Sequence, residues 1–261
     1  MDYSIGDRSI NVKVYAVWTL LITFCFRSPL CILTNDETVE RLPHMQTSKE
    51  QILTHLKRAG NATVDGLATA LGLARMTVRQ HLTALERDGL VACREERQRT
   101  GRPHLLYTLS DKGEEFFPKR YDRLAALVLE EVALLDADEI AGLSNEEKKR
   151  VLLSKMAERV FKQNESLVQG KTLAERVAAT TQILQEEGGF AEWKGEDKSF
   201  EITNYNCVYR RVAGSHSALC EFDIALVSRL LGKEVQCNQL MSQGHESCHF
   251  IVQQQDDSGK E

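Results

Sequence analysis

The sequence lacks the residue patterns by which most enzymes are recognised. It has no phosphate-binding glycine loop, no Ser-His-Asp set and no pair of carboxylates spaced for acid–base catalysis. It also lacks two cysteines separated by two to four residues, the spacing typical of structural zinc sites. We therefore expect neither an enzyme nor a zinc knuckle.

A run long and apolar enough to cross a membrane is also missing. The apolar stretch from Val14 to Phe26 is shorter than the roughly 17–25 residues that a spanning helix needs. No small-residue cleavage site of the A-x-A type follows it, so a signal peptide is poorly supported. We expect a cytoplasmic protein without a membrane partner, in which residues 1–44 are an upstream extension and Met45 is the natural start. A membrane-anchored regulator is the alternative.

Charge is distributed unevenly along a chain that is long enough for two domains at roughly 100–200 residues each. Residues 45–112 carry 11 Lys and Arg against 7 Asp and Glu, whereas residues 113–261 carry 18 against 26. A basic first part and an acidic second part predict a nucleic-acid surface on the first part alone.

Cysteine is concentrated late in the chain. Of the 7 cysteines, four lie in the last third, whereas Cys25 and Cys31 fall in the N-terminal extension and Cys93 stands alone in a strand, where we expect it to be structural. In a chain of cytosolic composition, this density is typical of metal or redox chemistry rather than of a disulfide framework. The four late cysteines are Cys207, Cys220, Cys237 and Cys248.

Three helices are predicted between Ser48 and Asp88. The first begins at a capping box, Ser48–Gln51, and ends at Gly60. The second runs from Thr63 to Leu71, and the third from about Ala74 to Asp88, with Val78, Leu82 and Leu85 on its core face. This order is the helix-turn-helix pattern, in which the second helix of the motif reads base edges in the major groove. The candidate base-reading residues are Thr77, Arg79, Gln80 and His81.

A basic β-hairpin, or wing, is predicted after the third helix. Leu90–Cys93 is expected to be one strand, Arg94–Pro103 the turn and Leu105–Leu109 the return strand. Arginine suits contacts with phosphate and the minor groove because its fork donates several hydrogen bonds and stays charged. Residues 45–115 are therefore predicted to form a winged helix-turn-helix domain. The candidate wing contacts are Arg94, Arg97, Arg99 and Arg102.

Helical patterns fill residues 116–190. Apolar residues recur at helical spacing from Tyr121 to Leu135, from Asn145 to about Gln163, and from Leu173 to Glu186. A plain helical core is one interpretation. We favour a dimerisation region, because winged-helix proteins usually read paired half-sites as dimers.

Residues 191–255 are predicted to form a small α+β sensor domain, which makes the whole chain an α+β protein. A strand at Phe200–Tyr205 leads to Cys207, and a helix at Ala218–Leu231 carries Cys220 in its first turn, where the helix dipole favours a thiolate. A turn at Gly244 precedes Cys248 and a strand at His249–Val252. A strand end, a helix start and a turn can converge on one point, as a metal site requires. The alternative is that some of these thiols are inert core residues.

The first part of the chain resembles a known family. Met76–Leu82 with Leu85–Val91 is similar to bacterial winged-helix repressors of the ArsR and DeoR type. Gly101–Pro103 with Leu106–Gly113 is similar to their wing and its exit. The resemblance implies a DNA-binding transcriptional repressor.

The cysteine-rich part resembles the sensor domain of SufR-type repressors. The resemblance is carried by Asn206–Ala213, His216–Cys220 and Gln243–Cys248, and with the winged helix it spans about residues 45–253. It implies repression of iron–sulfur cluster assembly genes and a cluster, 4Fe-4S or 2Fe-2S, bound by the C-terminal cysteines. The implied metal ligands are Cys207, Cys220 and Cys248.

The identity of a fourth ligand stays open. Some members of the SufR family have another cysteine at a place near Glu234, where this sequence has Cys237 instead. Cys237 is a candidate for a fourth ligand, a resolving thiol or an inert residue. The other candidates for the fourth ligand are His216, His245 and His249.

Together these observations predict a homodimeric repressor that binds a double-stranded DNA operator and senses iron–sulfur or redox status. We expect the intact cluster to fix the helix and strands around Cys220, and thereby the spacing of two recognition helices. The alternative is a cluster-free winged-helix regulator that responds to a small molecule or to thiol oxidation. A cluster-dependent enzyme fused to a DNA-binding domain is a third reading, for which no acid–base pair or cofactor loop speaks. The operator, the cluster type and the sign of the cluster's effect on DNA affinity are not determined by the sequence.

Overall fold

The computed structural model describes residues 47–96, 104–196 and 199–254, all of which belong to one compact unit. Predictions for the extension, for Met45 and for Cys25 and Cys31 lie outside these residues. Within the described ranges no helix is long and apolar enough to cross a membrane. The mixture of helices and antiparallel sheets confirms the predicted α+β class.

The N-terminal domain contains the three predicted helices and the hairpin. The hairpin strands join a two-residue strand in a three-stranded sheet of order β1-β3-β2. The first helices pack over this sheet through the side chains of Leu56, Leu67 and Leu82, which are at most 1% exposed. Its elements are α1 (Ser48–Ala59), β1 (Asn61–Ala62), α2 (Val64–Leu71), α3 (Arg75–Arg87), β2 (Val91–Glu96) and β3 (His104–Leu109).

Helix α1 begins one residue away from the predicted capping pair. The Thr47 side chain accepts a hydrogen bond from the Glu50 backbone N–H, and the Glu50 carboxylate accepts one from the Thr47 backbone N–H. Thr47 therefore caps the helix and Ser48 is its first residue, so the prediction that placed the cap at Ser48 is wrong by one position. Both registers contain a hydroxyl followed three residues later by Glu or Gln, but the charged carboxylate of Glu50 is the stronger acceptor.

The wing strands extend further than predicted. Strand β2 pairs with β3 without interruption from Val91, opposite Leu109, to Glu96, opposite His104. Arg94 therefore lies within the strand, opposite Leu106, and its predicted place in the turn is wrong. The last three residues of this strand are charged, so the sequence pattern does not show where the strand ends. Arg97, Arg99 and Arg102 lie outside the described residues.

The helical region follows a short helix, α4 (Asp111–Glu114), and consists of three longer helices. Helix α5 (Tyr121–Val132) ends before the predicted Leu135, and helix α6 (Asn145–Val168) continues past the predicted Gln163. Helix α7 has the predicted bounds. The three helices are α5 (Tyr121–Val132), α6 (Asn145–Val168) and α7 (Leu173–Glu186).

The C-terminal region is a four-stranded antiparallel sheet of order β4-β5-β7-β6 with helices on one side. The sequence predicted the two central strands and the long helix α9, but it missed α8 and both edge strands. The edge strand Ala191–Glu196 contains a glycine and no β-branched residue, and the edge strand Gln236–Gln239 has four residues that are mostly polar, so neither has a strong strand signal. The elements are β4 (Ala191–Glu196), β5 (Ser199–Asn204), α8 (Arg210–Ser215), α9 (Cys220–Leu231), β6 (Gln236–Gln239) and β7 (Cys248–Gln253).

The helical region and the cysteine-bearing region share one hydrophobic core. Met156 and Val160 of α6 pack in the same cluster as Phe222, Leu226 and Leu230 of α9. The helical region, which was predicted to be a linker or a dimerisation element, thus supports α9, the helix that begins at Cys220.

Candidate DNA-binding face and cysteine site

Helix α3 has a buried face and an exposed face. Val78, Leu82 and Leu85 are at most 1% exposed, so this seam is fixed in the core. Arg79 and Gln80 are exposed on the opposite side. The outward face is therefore free to enter a major groove, as the second helix of a helix-turn-helix does.

Thr77 and His81 lie at the border of that face, where both are half-buried. Met76 stands on the exposed face one turn before Arg79 and Gln80, and it is 63% exposed. The sequence reasoning missed Met76, although its spacing of three and four residues from the other two side chains was a usable signal. An exposed apolar side chain here suits contact with a thymine methyl group.

Arg94 is the predicted wing arginine within the described residues. Its side chain is exposed on β2, and among the described residues it forms no ion pair. Arg79 likewise has no carboxylate partner within that part of the chain. Both guanidinium groups are available for phosphate or base contacts.

Four elements bring the late cysteines together. Cys207 follows β5, Cys220 is the first residue of α9, Cys237 lies in β6 and Cys248 begins β7. In the strand pairing Cys248 lies opposite Asn204, at the end of β5, and Cys237 lies opposite Phe250. Directly opposed residues of an antiparallel pair project to the same side, so Cys237 and Cys248 share the face that the helices cover.

A 3₁₀ turn, Met241–Gln243, is the common neighbour of two of these thiols. The Cys220 thiol donates a hydrogen bond to Ser242 Oγ at 3.1 Å, and the Met241 N–H donates one to Cys248 Sγ at 3.4 Å. Cys207 packs against the hydrophobic clusters on both sides of the site. The start of α9 and the start of β7 therefore both contact this turn.

An open cleft lies beside the same turn. It has a volume of about 490 Å³, and Cys207, Met241, Ser242, Arg210 and Arg211 are among the residues that line it. Of the four late cysteines, Cys207 is the one that lines this cleft.

Burial controls the protonation of these thiols. It raises the pKa of the Cys207 thiol to about 12, and the negative charge of Asp223 acts in the same direction. The pKa values of Cys220, Cys237 and Cys248 are also raised, in each case chiefly by burial. The metal-free thiols therefore carry their protons at neutral pH.

The Cys220 thiol is buried in the first turn of α9, and its pKa is raised because the loss of hydration disfavours the charged form more than the Ser242 hydrogen bond favours it. That the helix dipole favours a thiolate at this position stays a prediction. The position in the first turn was predicted correctly, but the solvent exposure that a reactive thiolate requires is absent.

The structure separates the candidates for a fourth ligand. His249 points to the other face of the sheet, where its ring bonds to Glu201 and Ser247. His216 and His245 are exposed. The Cys237 thiol is half-buried on the helix-covered face and donates a hydrogen bond to the backbone oxygen of Gln239 at 3.3 Å.

Asp223 is a half-buried carboxyl group that the sequence reasoning missed. It lies one turn after Cys220 on α9, and burial raises its pKa to about 7. Its charge raises the pKa values of all four late thiols and of Tyr209, so it lies within electrostatic reach of the whole group. The available signal was that this acidic residue follows Cys220 by three positions, which places both on the same side of a helix.

Thiols are the donor type that the four late cysteines offer. In the described part of the chain, no three His, Cys, Asp or Glu side chains form a group that could hold one metal ion. Four thiols from separate elements are the ligand type that iron–sulfur clusters use.

Comparison with known proteins identifies the N-terminal part. Residues 45–92 match the family of winged helix-turn-helix DNA-binding domains. The match covers α1, α2 and α3 and ends at the start of β2. The chain therefore contains a winged helix-turn-helix DNA-binding domain, and the prediction of this domain is confirmed.

The other comparisons do not extend this assignment to the cysteine region. No curated protein matches the chain. Among solved structures, it is similar to ZitR from Lactococcus lactis, with 16% identity over 58% of this chain and 94% of that chain, and a TM-score of 0.24. It is also similar to PadR from Bacillus subtilis in complex with operator DNA, with 17% identity over 70% of this chain and 97% of that chain, and a TM-score of 0.25. At these TM-scores neither alignment defines a shared overall fold.

Proposed function

We propose that this DNA-binding transcriptional regulator is a repressor that senses iron–sulfur or redox status through an iron–sulfur cluster. The ligands would be Cys207, Cys220 and Cys248, with Cys237 as the fourth. The observation that supports this most is the arrangement of the segments that carry these thiols around one short turn, beside an open cleft. The resemblance to SufR-type sensors points to the genes of cluster assembly as the target.

When bound, such a cluster supplies a group whose loss or oxidation reports iron and oxidant levels. The protein residues hold the ligands in place. Ser242 and the Met241 N–H orient Cys220 and Cys248, and the sheet sets the distance between Cys248 and Cys237. Because Cys220 begins α9, a change in the position of its sulfur moves the start of a helix that packs on α6.

On the DNA side, Arg79 and Gln80 would read base edges and Arg94 would contact the backbone. Arginine and glutamine form paired hydrogen bonds with guanine and adenine respectively. The phosphate contact adds affinity without sequence preference.

A homodimer would present two such domains to paired half-sites. The end of α5 and the residues after it support a dimer surface there, because three of their apolar side chains are solvent-exposed. Leu129 is 72% exposed, Val132 is 51% exposed and Leu134 is 63% exposed. Exposed apolar side chains grouped at one helix end favour burial against a second copy.

A second candidate function is regulation by a small apolar molecule. It is favoured by a separate cleft of about 470 Å³ between α5, α6 and the chain that precedes Cys220, lined by Leu124, Leu152 and Val212. Thiol oxidation in the absence of metal is disfavoured, because buried, protonated thiols are poor nucleophiles. Iron content distinguishes the two candidates.

The deciding experiment measures iron, acid-labile sulfide and visible absorption on protein purified without oxygen. Cys207→Ser, Cys220→Ser, Cys237→Ser and Cys248→Ser are compared with Cys93→Ser, a half-buried cysteine of the wing that serves as the matched control. We expect iron and sulfide in equal amounts in the wild type and the control, and loss of both in the four variants. Iron-free wild type that cannot be reconstituted would refute the cluster.

Operator binding is then measured on the loaded and the metal-free protein, with duplexes that the wild type selects from a random pool. A change in affinity between the two states supports sensing. Equal affinities would leave a DNA-binding protein whose cluster does not regulate it.

A further inference from the structure

Asn206, the residue before Cys207, is completely buried and ties the cysteine loop to the segment that leaves the DNA-binding domain. Its side-chain amide donates hydrogen bonds to the carbonyl oxygens of Pro118 at 3.0 Å and Gly188 at 2.7 Å. Its Oδ1 accepts one from Lys119 Nζ at 3.2 Å. Every polar atom of the side chain therefore has a partner, and a displacement of the loop breaks several bonds together.

Lys119 continues this network towards the DNA-binding domain. Besides Asn206, its ammonium group donates to the backbone oxygens of Glu114 at 2.7 Å and Phe117 at 3.2 Å. The adjacent Arg120 N–H donates to the Val208 carbonyl at 3.0 Å. Residues on both sides of Cys207 are thus hydrogen-bonded to the same short segment, 117–120.

The network reaches helix α1 at Lys57. The Glu114 carboxylate pairs with the Lys57 ammonium group, whose side chain is 2% exposed. Lys57 also lies 5.5 Å from the centre of the Phe117 ring, and that ring contacts Phe190 edge-on at 5.5 Å. We call the four polar residues Lys57, Glu114, Lys119 and Asn206 the polar joint.

The segment that leads to Cys248 also lies beside helix α1. The side chain of Glu246, two residues before Cys248, lies over Gly60, which caps α1. A Cβ atom at Gly60 would be 2.6 Å from Cδ of Glu246. The segment that carries Cys207 therefore reaches α1 through Lys119 and Glu114, and the segment that carries Cys248 contacts the end of α1 directly.

From this placement we infer that the polar joint transmits a displacement of the Cys207 loop to helix α1 of the DNA-binding domain. Lys119 and Asn206 act as positioning residues in this transmission. Helix α1 packs against α3 in the domain core, so a shift of α1 changes the support of the base-reading helix. The inference adds a route to the proposed function, since it rests on a sensor whose state differs at Cys207.

The test compares Lys119→Met and Asn206→Ala with a matched control, Arg58→Gln. Lys119→Met keeps the aliphatic length and removes the ammonium group, whereas Asn206→Ala removes the amide. Arg58 is next to Lys57 on α1 and forms an ion pair across the same boundary, with Glu192 at 3.0 Å, but both side chains are about half exposed. Two different variants keep the test valid if one of them fails to fold.

The measurement is hydrogen exchange of the α1 amides, Ser48–Ala59, in two states of the thiol site. One comparison is loaded against metal-free protein. The other compares metal-free protein that has Cys207 with metal-free protein that carries Cys207→Phe, in which the larger side chain displaces the Cys207 loop. The second comparison needs no iron, so it tests the polar joint even if the cluster proves absent.

In the wild type and in Arg58→Gln we expect the exchange of α1 to change by at least about fivefold between states, the lower end of typical coupling between sites. In Lys119→Met and Asn206→Ala we expect the change to fall below about twofold. The inference is overturned if α1 does not respond in the wild type in either comparison. It is equally overturned if both joint variants respond like the wild type, or if Arg58→Gln loses the response as they do.

Discussion

The buried ion pair in the polar joint allows a quantitative test of how the two ends of the protein are joined. Lys57 and Glu114 have side chains that are 2% and 14% exposed. Replacing Lys57 by Met keeps most of the side-chain volume and removes its charge. Among the described residues, Arg210 at 3.8 Å is then the remaining ion-pair partner of the Glu114 carboxylate.

The structure sets the size of the effect. Removing one partner of a buried pair costs about 3–5 kcal/mol, because the other charge is left without compensation. Arg210 compensates in part, so we expect Lys57→Met to cost about 3 kcal/mol, the lower end of that range.

Glu114→Leu leaves the Lys57 ammonium group buried. Burial already lowers the pKa of Lys57, and the side chain can respond by losing its proton. Removing the proton from a lysine of pKa about 10.4 at about pH 7 costs about 4–5 kcal/mol, and this cost is the ceiling on the destabilisation at neutral pH. The double variant Lys57→Met/Glu114→Leu contains no unpaired charge, and we expect it to lie within about 1 kcal/mol of the wild type.

The assay is urea unfolding of the wild type, both single variants and the double variant, followed by circular dichroism. A loss of about 3 kcal/mol lowers the midpoint by about 1–1.5 M urea at a slope of about 2–3 kcal/mol per M. Arg58→Met, next along the same helix, is the control. Its ion pair with Glu192 is half exposed, so its loss should cost less than about 1 kcal/mol.

Two results would refute this reasoning. One is a cost below about 1 kcal/mol for Lys57→Met, which would mean that the pair is hydrated in solution. The other is a double variant as unstable as the sum of the single variants, which would show that the two residues act independently.

Four further outcomes follow from the same structure. Arg79→Ala should weaken operator binding by about 1–3 kcal/mol and relax sequence preference, whereas Arg94→Ala should weaken binding to all duplexes alike and reduce the salt slope by about 1. Both variants are measured by anisotropy titration at several salt concentrations. A uniform loss of affinity with Arg79→Ala would argue against base reading. Leu129→Glu should convert a dimer to a monomer in light scattering, while Leu167→Glu, also exposed, should not. Burial lowers the pKa of Lys119 to about 8. The folded protein then binds fewer protons than the unfolded chain between about pH 8 and about pH 10.4, so its stability should rise with pH in this window. Lys119→Met should lack that rise when urea unfolding is compared at about pH 7.5 and about pH 9.5.

Local chemistry alone determined much of the DNA-binding domain. The hydroxyl of Thr63 caps α2, Gly60 and Gly72 end the first two helices with positive φ, and the spacing of Val78, Leu82 and Leu85 defines the buried face of α3. These signals act within one or two helical turns, so they can be seen in the sequence without knowledge of the rest of the fold. The same short-range logic predicted β5, α9 and β7 and the elements on which three of the cysteines lie.

Only the tertiary structure decided what surrounds those residues. The two edge strands, the protonated state of Cys220 and the surroundings of Cys237 and Asp223 all depend on packing between distant segments. The polar joint is the clearest case, because its directly bonded members Lys119 and Asn206 are separated by 87 residues along the chain. Nothing in the local sequence marks Asn206 as buried. Its environment exists only when the strand end, the turn before it and the segment leaving the winged helix have come together, since the cost of burying an amide is offset by partners that each of these supplies.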